Sequence, residues 1–438
     1  MVKYIFCVTK LFGILCFALS YSHSENANVE SYFPELLIVL QNLEEKSPLL
    51  LEQNQLIREQ IGNQIVANSA KGLKLSINLT TQSIHEDRPD QSFYHKHRSF
   101  GSIYARKPLF HWGALQAESH IANQRTEIAK LSYKESILDL SSQARHSYLD
   151  LFLLQKKKEL KEESLVLDQE SLSRQVRQKQ LGLSSELDVS ESNASLLENE
   201  ILLADLNQSL SNSINQFKSI TGWEGNLSFE DQDALFDNFI FEKVFKKEMP
   251  SMIAGISSKT MDRLEREIEI EKNQLIIAKS QLKPKLNLVG GFYQDQVALA
   301  NSEANLLRNN IIIGLEANWA IWDSSKSKGQ KSASLARKRR LEYALDRELK
   351  SFRIYIENLR QNLFSLANRI EMSTELLEVA KSRFKTSRIE FNANRISANR
   401  HLESKIAFDK AKINQLESVC QYLKTHDLYL KAIQHNYE

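Results

Sequence analysis

His95 and His97 flank Lys96, a spacing that would let two imidazoles reach one metal ion from the same face of a strand. No cysteine or further ligand lies near them, so an exposed polar loop over residues 82–98 is the stronger reading. No metal and no other cofactor is expected. The chain has no Gly-rich phosphate loop, no nucleophile elbow and no His-Glu-x-x-His pattern, so an enzyme is not expected either. The basic runs Lys156-Lys157-Lys158 and Arg337-Lys338-Arg339-Arg340 sit in tracts rich in Glu and Gln, as solvated helix faces do. The net charge of +2 argues neither for nor against nucleic acid, and no nucleic-acid partner is expected.

Function must then lie in architecture, and the architecture is doubled. Pro108-Leu109-Phe110-His111-Trp112-Gly113 returns as Ala320-Ile321-Trp322-Asp323-Ser324-Ser325, about 212 residues later. The same offset carries Gly182-Leu183-Ser184-Ser185-Glu186-Leu187-Asp188 onto Asn394-Arg395-Ile396-Ser397-Ala398-Asn399-Arg400. A repeat this long is a duplicated half-protein, not a short solenoid unit. Between Gly113 and Gly222 the only Gly is Gly182 and there is no Pro; after Gly329 neither occurs. Such tracts, rich in Leu, Lys, Glu, Gln, Ala and Ser, predict long helices over about 114–181, 186–220, 326–392 and 398–434. Residues 115–180 would form a rod of about 100 Å at ~1.5 Å per residue. Val189, Leu196, Leu203 and Leu210 step by seven, a seam for packing on another long helix, and Leu197 and Leu206 widen it.

Before each pair of helices the period changes from helical to two. Leu73, Leu75, Ile77 and Leu79 alternate with polar residues, and Phe100 to Phe110 reads as a returning strand, giving a hairpin over about 73–110. The second hairpin, about 285–322, runs from Leu286 to Tyr293 and from Asn310 to Trp322. Each strand is expected to hold about nine to eleven residues, enough to cross a bilayer when tilted. Aromatics lie at or near the strand ends (Phe93, Tyr94, Phe110, Trp112, Phe292, Tyr293, Trp319, Trp322), where a membrane barrel places its interfacial girdles. Four strands cannot close a barrel, and open edges are not tolerated in lipid, so several copies must share one.

The N-terminus reads as a secretory signal over 1–24. Lys3 and Lys10 form the positive region, Leu11 to Ser20 the apolar core, and Ser22 and Ser24 precede a cut at Glu25. Leu15 before Cys16 argues against lipidation. Cys7 and Cys16 leave with the signal, so Cys420 is left without a disulfide partner, which fits a bacterial envelope protein.

With these pieces in order, the chain resembles the TolC-type outer-membrane efflux protein family. The resemblance rests on Gly182-Leu183-Ser184-Ser185-Glu186-Leu187-Asp188-Val189 and the closing Thr221-Gly222. It rests also on the junctions Pro108-Leu109-Phe110, Lys283-Pro284-Lys285 and Trp319-Ala320-Ile321-Trp322-Asp323. It implies a mainly helical α and β fold and a homotrimer. A twelve-stranded β-barrel in the outer membrane would continue into a periplasmic α-helical barrel. It further implies a periplasmic adaptor and an inner-membrane pump or ABC exporter as partners, with small toxic molecules or polypeptides as cargo. Two turns would form the adaptor-contacting tip, Gly182, Leu183 and Ser184 in the first copy and Asn394, Arg395 and Ile396 in the second. Asp188, Arg400 and Glu403 would line the entrance. Arg400 departs from the acidic pattern of the family and, paired with Glu403 one turn away, would help hold the entrance shut.

The expected organisation is a signal, a first repeat over 25–222, a linker over 223–250 around the waist of the tube, and a second repeat over 251–438. The competing reading is a periplasmic coiled-coil adaptor or spacer. Duplicated amphipathic hairpins with aromatic ends count against it.

Overall fold

The computed structural model describes residues 29–31, 33–88, 91–225, 227, 258–298, 305–393 and 395–434. The signal segment, most of the linker and Asn394 lie outside the described residues. The first repeat opens with α1 (Pro34–Gln41), a short α2 (Leu43–Lys46) and α3 (Pro48–Ser69). A hairpin of β1 (Lys74–Arg88) and β2 (Gln91–Phe110) follows, then α4 (Ala114–Gln180) and α5 (Glu186–Thr221). The second repeat has α6 (Lys259–Ser280), β3 (Lys285–Ala298), β4 (Asn305–Asn318), α7 (Lys326–Asn392) and α8 (Ala398–Gln434). Both α4 and α7 hold 67 residues and keep the sequence offset at each end.

Three features differ from the sequence expectation. The strands hold 15, 20, 14 and 14 residues, so residues 82–98 are mostly ladder and not loop, and His95 and His97 lie within β2. The sequence there is mostly polar and lacks the period of two, and a ladder needs only its backbone bonds to continue without an apolar face. At the other end β4 stops at Asn318, four residues before Trp322, because the Trp319 indole turns back to donate to the Leu282 carbonyl at 3.0 Å. The third difference is α3 and α6, which enter the hairpins from below and pack on α4 and on α4 and α7 respectively.

The four strands form one antiparallel sheet in the order β1-β2-β3-β4. The main core sits at the waist of the helices. Phe33, Leu36, Val39, Leu43 and Leu50 from the N-terminal segment are fully buried against Tyr148, Phe152, Phe217 and Leu363. Arg145 of α4 pins that segment by a two-pronged bond to Glu30 (2.8 and 2.9 Å), while its third nitrogen reaches Asp427 of α8 at 3.0 Å. Trp223 and Leu227, the described start of the linker, pack on the same core. Cys420 is buried there too, and burial pushes its thiol up to about 12, so it holds no reactive thiolate.

Candidate functional site: sheet faces, junctions and helix tips

The register divides the sheet into two unlike faces. Leu75, Ile77 and Leu79 of β1 share a face with Ile103 of β2 and with Ile311, Ile313 and Leu315 of β4. Leu79 and Ile313 are each 83% exposed, and no described residue covers them. An apolar face of this size belongs against lipid or another apolar surface. The other face carries Lys74, Ser76, Asn78 and Thr80 of β1 with Arg106, Asn287 and Glu316. Arg106 and Glu316 form an ion pair that straddles β3. Tyr104 lies flat over Gly291, where a Cβ would meet its ring at 2.9 Å.

Below the sheet, each strand-to-helix junction uses two successive left-handed residues. Trp112 (φ 56°) and Gly113 (φ 81°) do so in the first copy, Ser324 (φ 52°) and Ser325 (φ 71°) in the second. Both make the same turn, with Ala114 N–H donating to His111 O and Lys326 N–H to Asp323 O, each at 3.0 Å. The aromatics expected at the membrane interface divide. Trp112 stacks edge-on with Phe110 and donates to Pro284 O at 2.8 Å, with the Lys283 ammonium over its ring. Trp112 and Trp319 thus both donate to carbonyls of the loop between α6 and β3. Trp322 is 81% exposed just outside β4. Phe292 and Tyr293 sit inside β3, because the strand runs on past them, and they point to opposite faces.

At the far end, α4 reverses into α5 through Gly182 at φ 73°. Gly182 N–H donates to Lys179 O at 2.9 Å and Leu183 N–H to Gln178 O at 2.8 Å. Leu181 and Leu183 project into solvent, 73% and 75% exposed. Ser184 turns inward and donates to Gln175 Oε1 at 2.8 Å. Asp188 closes a capping box: its carboxylate accepts from Ser185 N–H at 2.8 Å, and Ser185 Oγ accepts from Asp188 N–H at 3.1 Å. Those bonds, first from the Ser185 backbone and then from the Ser185 and Ser184 hydroxyls, hold its carboxyl below the usual range.

The second tip is built differently. Asn394, the counterpart of Gly182, lies outside the described residues. Arg395 N–H donates to Glu390 O at 2.8 Å, Arg395 is exposed and Ile396 half-buried. Arg400 N–H reaches Ser397 Oγ at 3.4 Å, but Arg400 offers no carboxylate in return. Arg400 and Glu403 are both exposed and make no ion pair with each other in the structure. What holds this tip is an aromatic stack missed in the sequence. The His401 ring lies between Phe391 (4.8 Å, 5°) and Phe384 (5.4 Å, 15°), and Phe384 stacks on Phe408. The Arg174 guanidinium of α4 lies over Phe391, joining the two tips. The signal was present as seven-residue steps, Phe384 to Phe391 and His401 to Phe408. His401 Nδ1 lies 3.0 Å from Ser387 Oγ. Burial, then the nearby Arg388 and Arg174, lowers its pKa.

Between the tips and the waist the two repeats are joined by ion pairs across α4 and α8. Lys405–Glu163, Lys157–Glu417, Lys424–Asp150, Arg145–Asp427 and Lys431–Asp139 run upward as a ladder. Val189, Leu196, Leu203, Leu206 and Leu210 are half-buried along α5, while Leu197 is 51% exposed on its other side.

A sheet with one lipid-like face above paired rods of this length defines the outer-membrane channel fold. The CmeC outer membrane channel of Campylobacter jejuni matches with a TM-score of 0.76 at 12% identity, over 94% of this chain and 90% of that one. CusC, whose crystal structures concern conformational changes accompanying folding and transmembrane channel formation, matches at 0.75 and 13%, over 94% and 95%. VceC, an outer membrane protein of the bacterial pathogen Vibrio cholerae, matches at 0.72 and 14%, over 92% and 97%. Residues 39–223, α1 through the end of the first repeat, match the family model described as outer membrane efflux protein. Over that segment the chain is similar to the outer membrane efflux protein family, in line with the resemblance read from its motifs, and its fold as a whole is that of solved outer-membrane channels. No curated protein sequence matches it.

Proposed function

We propose that three copies of this chain form an outer-membrane export duct, each donating four strands to a twelve-stranded barrel and its long helices to a periplasmic tube. The observation that carries this reading is the exposed apolar face of the sheet, joined through the two junctions to two 67-residue helices. A four-stranded sheet with free β1 and β4 edges is not viable in lipid, and closure with further copies removes both edges. A periplasmic adaptor would grip the tips at Gly182, Leu183 and Ser184 and at Asn394, Arg395 and Ile396. An inner-membrane pump or ABC exporter would drive small toxic molecules or polypeptides through the tube. Asp188, Arg400 and Glu403 would ring the entrance with both signs of charge.

Fractionation tests the reading directly. The protein should sediment with outer membranes, run as a trimer in mild detergent before boiling, and open conducting channels in planar bilayers. A soluble periplasmic monomer would overturn it. Deleting the gene and screening drug sensitivity alongside the secreted proteins would then separate the two cargo classes.

A further inference from the structure

Resting on the duct reading, we propose that the neck of the barrel is a cationic constriction that favours amphiphilic organic anions as cargo. The basis is where the register puts charge. Lys74 and Lys285 are the first residues of β1 and β3, at the helical end of the sheet. Lys74 stands opposite Arg106, Lys285 opposite Asn318, and Asn287 opposite Glu316. All lie on the face that alternates with Leu75, Leu288 and Leu315, and therefore on the side turned away from lipid.

Glu316 is the only carboxylate among these residues, and it is already occupied. Arg106 bonds both of its oxygens, and Asn318 donates to one of them. Lys74 and Lys285 have no carboxylate partner among the described residues. Each chain therefore sets three cations against one anion at this level, and every copy that closes the barrel repeats the surplus. A ring of one sign in a low-dielectric wall focuses its field on the lumen, which is how Lys and Arg rings select anions. Next along the same face stand Tyr104, flat against Gly291, and Ile312, opposite that glycine; they are 39% and 41% exposed. An apolar surface beside a cationic ring suits a molecule with an anionic head and an apolar body.

Two measurements test this. In planar bilayers under a KCl gradient, the reversal potential should report chloride as more permeant than potassium. The double variant Lys74→Gln/Lys285→Gln should lower that permeability ratio about threefold or more, and Glu316→Gln should raise it. Cation preference in the wild type, or an unchanged ratio in the double variant, overturns the proposal. The second measurement needs no conduction. Acetylation of Lys74 and Lys285 in the intact detergent-solubilised protein, read by mass spectrometry, should be slowed several-fold by tripolyphosphate, while exposed Lys385 is unaffected. Equal protection at all three lysines, or none, overturns the cationic neck. A protein that opens no channel overturns the duct reading instead, and the acetylation result still decides this one.

Discussion

The two repeats make the same turns from different residues. Where the first copy places Gly113, the second places Ser325, and both adopt a left-handed backbone. Where the first copy has a full capping box at Ser185 and Asp188, the second has Ser397 and Arg400, half of one. Where the first closes α5 with Thr221 and Gly222, the second runs α8 to Gln434 without a Gly. The first copy uses backbone-adapted residues at its ends. The second accepts strain there and holds itself through side-chain stacking and ion pairs. Duplication has preserved the path of the chain and let its local supports diverge.

The largest expected effect comes from making the first copy's close resemble the second. Gly222 has φ 69°, and a Cβ there would collide with the Lys46 carbonyl. Thr221 Oγ1 donates to Phe217 O at 2.7 Å and accepts from Trp223 N–H at 3.3 Å, so this end has no room to shift. Gly222→Ala should destabilise the protein by at least about 2 kcal/mol in denaturant unfolding, through strain plus collision. A change below the error of the measurement would mean the waist is softer than its packing indicates.

Exchanging the junction residues is the next test, and its two arms have opposite signs. Gly113→Ser puts the second copy's residue into the first. Its Cβ would meet only Ile276 Cγ2 at 3.6 Å, so the cost is the left-handed backbone itself, about 1 kcal/mol. Ser325→Gly relieves the same conformation and should stabilise by a similar ~1 kcal/mol. Destabilisation by Ser325→Gly would show that the serine side chain supports the junction.

Much of this comparison was legible in the sequence, and the reasons are physical. The long helices were readable because Gly and Pro punctuate their ends and are nearly absent between. The duplication was readable because one offset links the junction and tip motifs. The full strand length was not, because the sequence over 82–98 is mostly polar and carries no period of two. The helix α3 was missed because it buries only Leu50 fully and has no strong apolar stripe; α6 does carry buried apolar positions at Met261, Ile268 and Ala278, and that signal went unread. At the tip, Gly182 was readable from its residue type alone. The His401 stack was not, because its partners come from two helices and become neighbours only when α7 and α8 pair. Asp188 drew attention as an entrance charge, and its geometry gives it the further role of a cap.

The tips also separate by pH. His401 has a lowered pKa in the folded tip, so a loosened tip binds the proton better. Its support for the tip is complete above its ordinary value of about 6.5 and declines as pH falls through that region. The Arg388 and Arg174 cations beside the stack oppose a further positive charge, while Lys405 over Phe384 is already paired with Glu163 and Asp409. The carboxyl of Asp188 is also lowered, but that cap stays intact above the ordinary aspartate value of about 3.9 and fails only as pH drops through its depressed value. Between pH 7 and 5 hydrogen exchange should therefore quicken in the segment around 384–408 and stay flat around 178–190, after correction for intrinsic rates. His401→Phe should keep the stack and remove the pH response. If the variant responds as the wild type does, another group is titrating.

The smallest effect expected is the repair of the second cap. Arg400 already donates its N–H to Ser397 Oγ, and an aspartate there could return a bond to the Ser397 N–H, as Asp188 does for Ser185. Arg400→Asp should slow exchange at the start of α8 while leaving α5 unchanged. It would also restore an acidic residue at the position where this chain carries a cation. Conductance and exchange in that one variant answer separate questions. Slower exchange with unchanged conductance would place Arg400 in helix capping alone. Unchanged exchange with altered conductance would place it in the entrance, and the missing half of the box would then reflect selection on charge and not on helix stability.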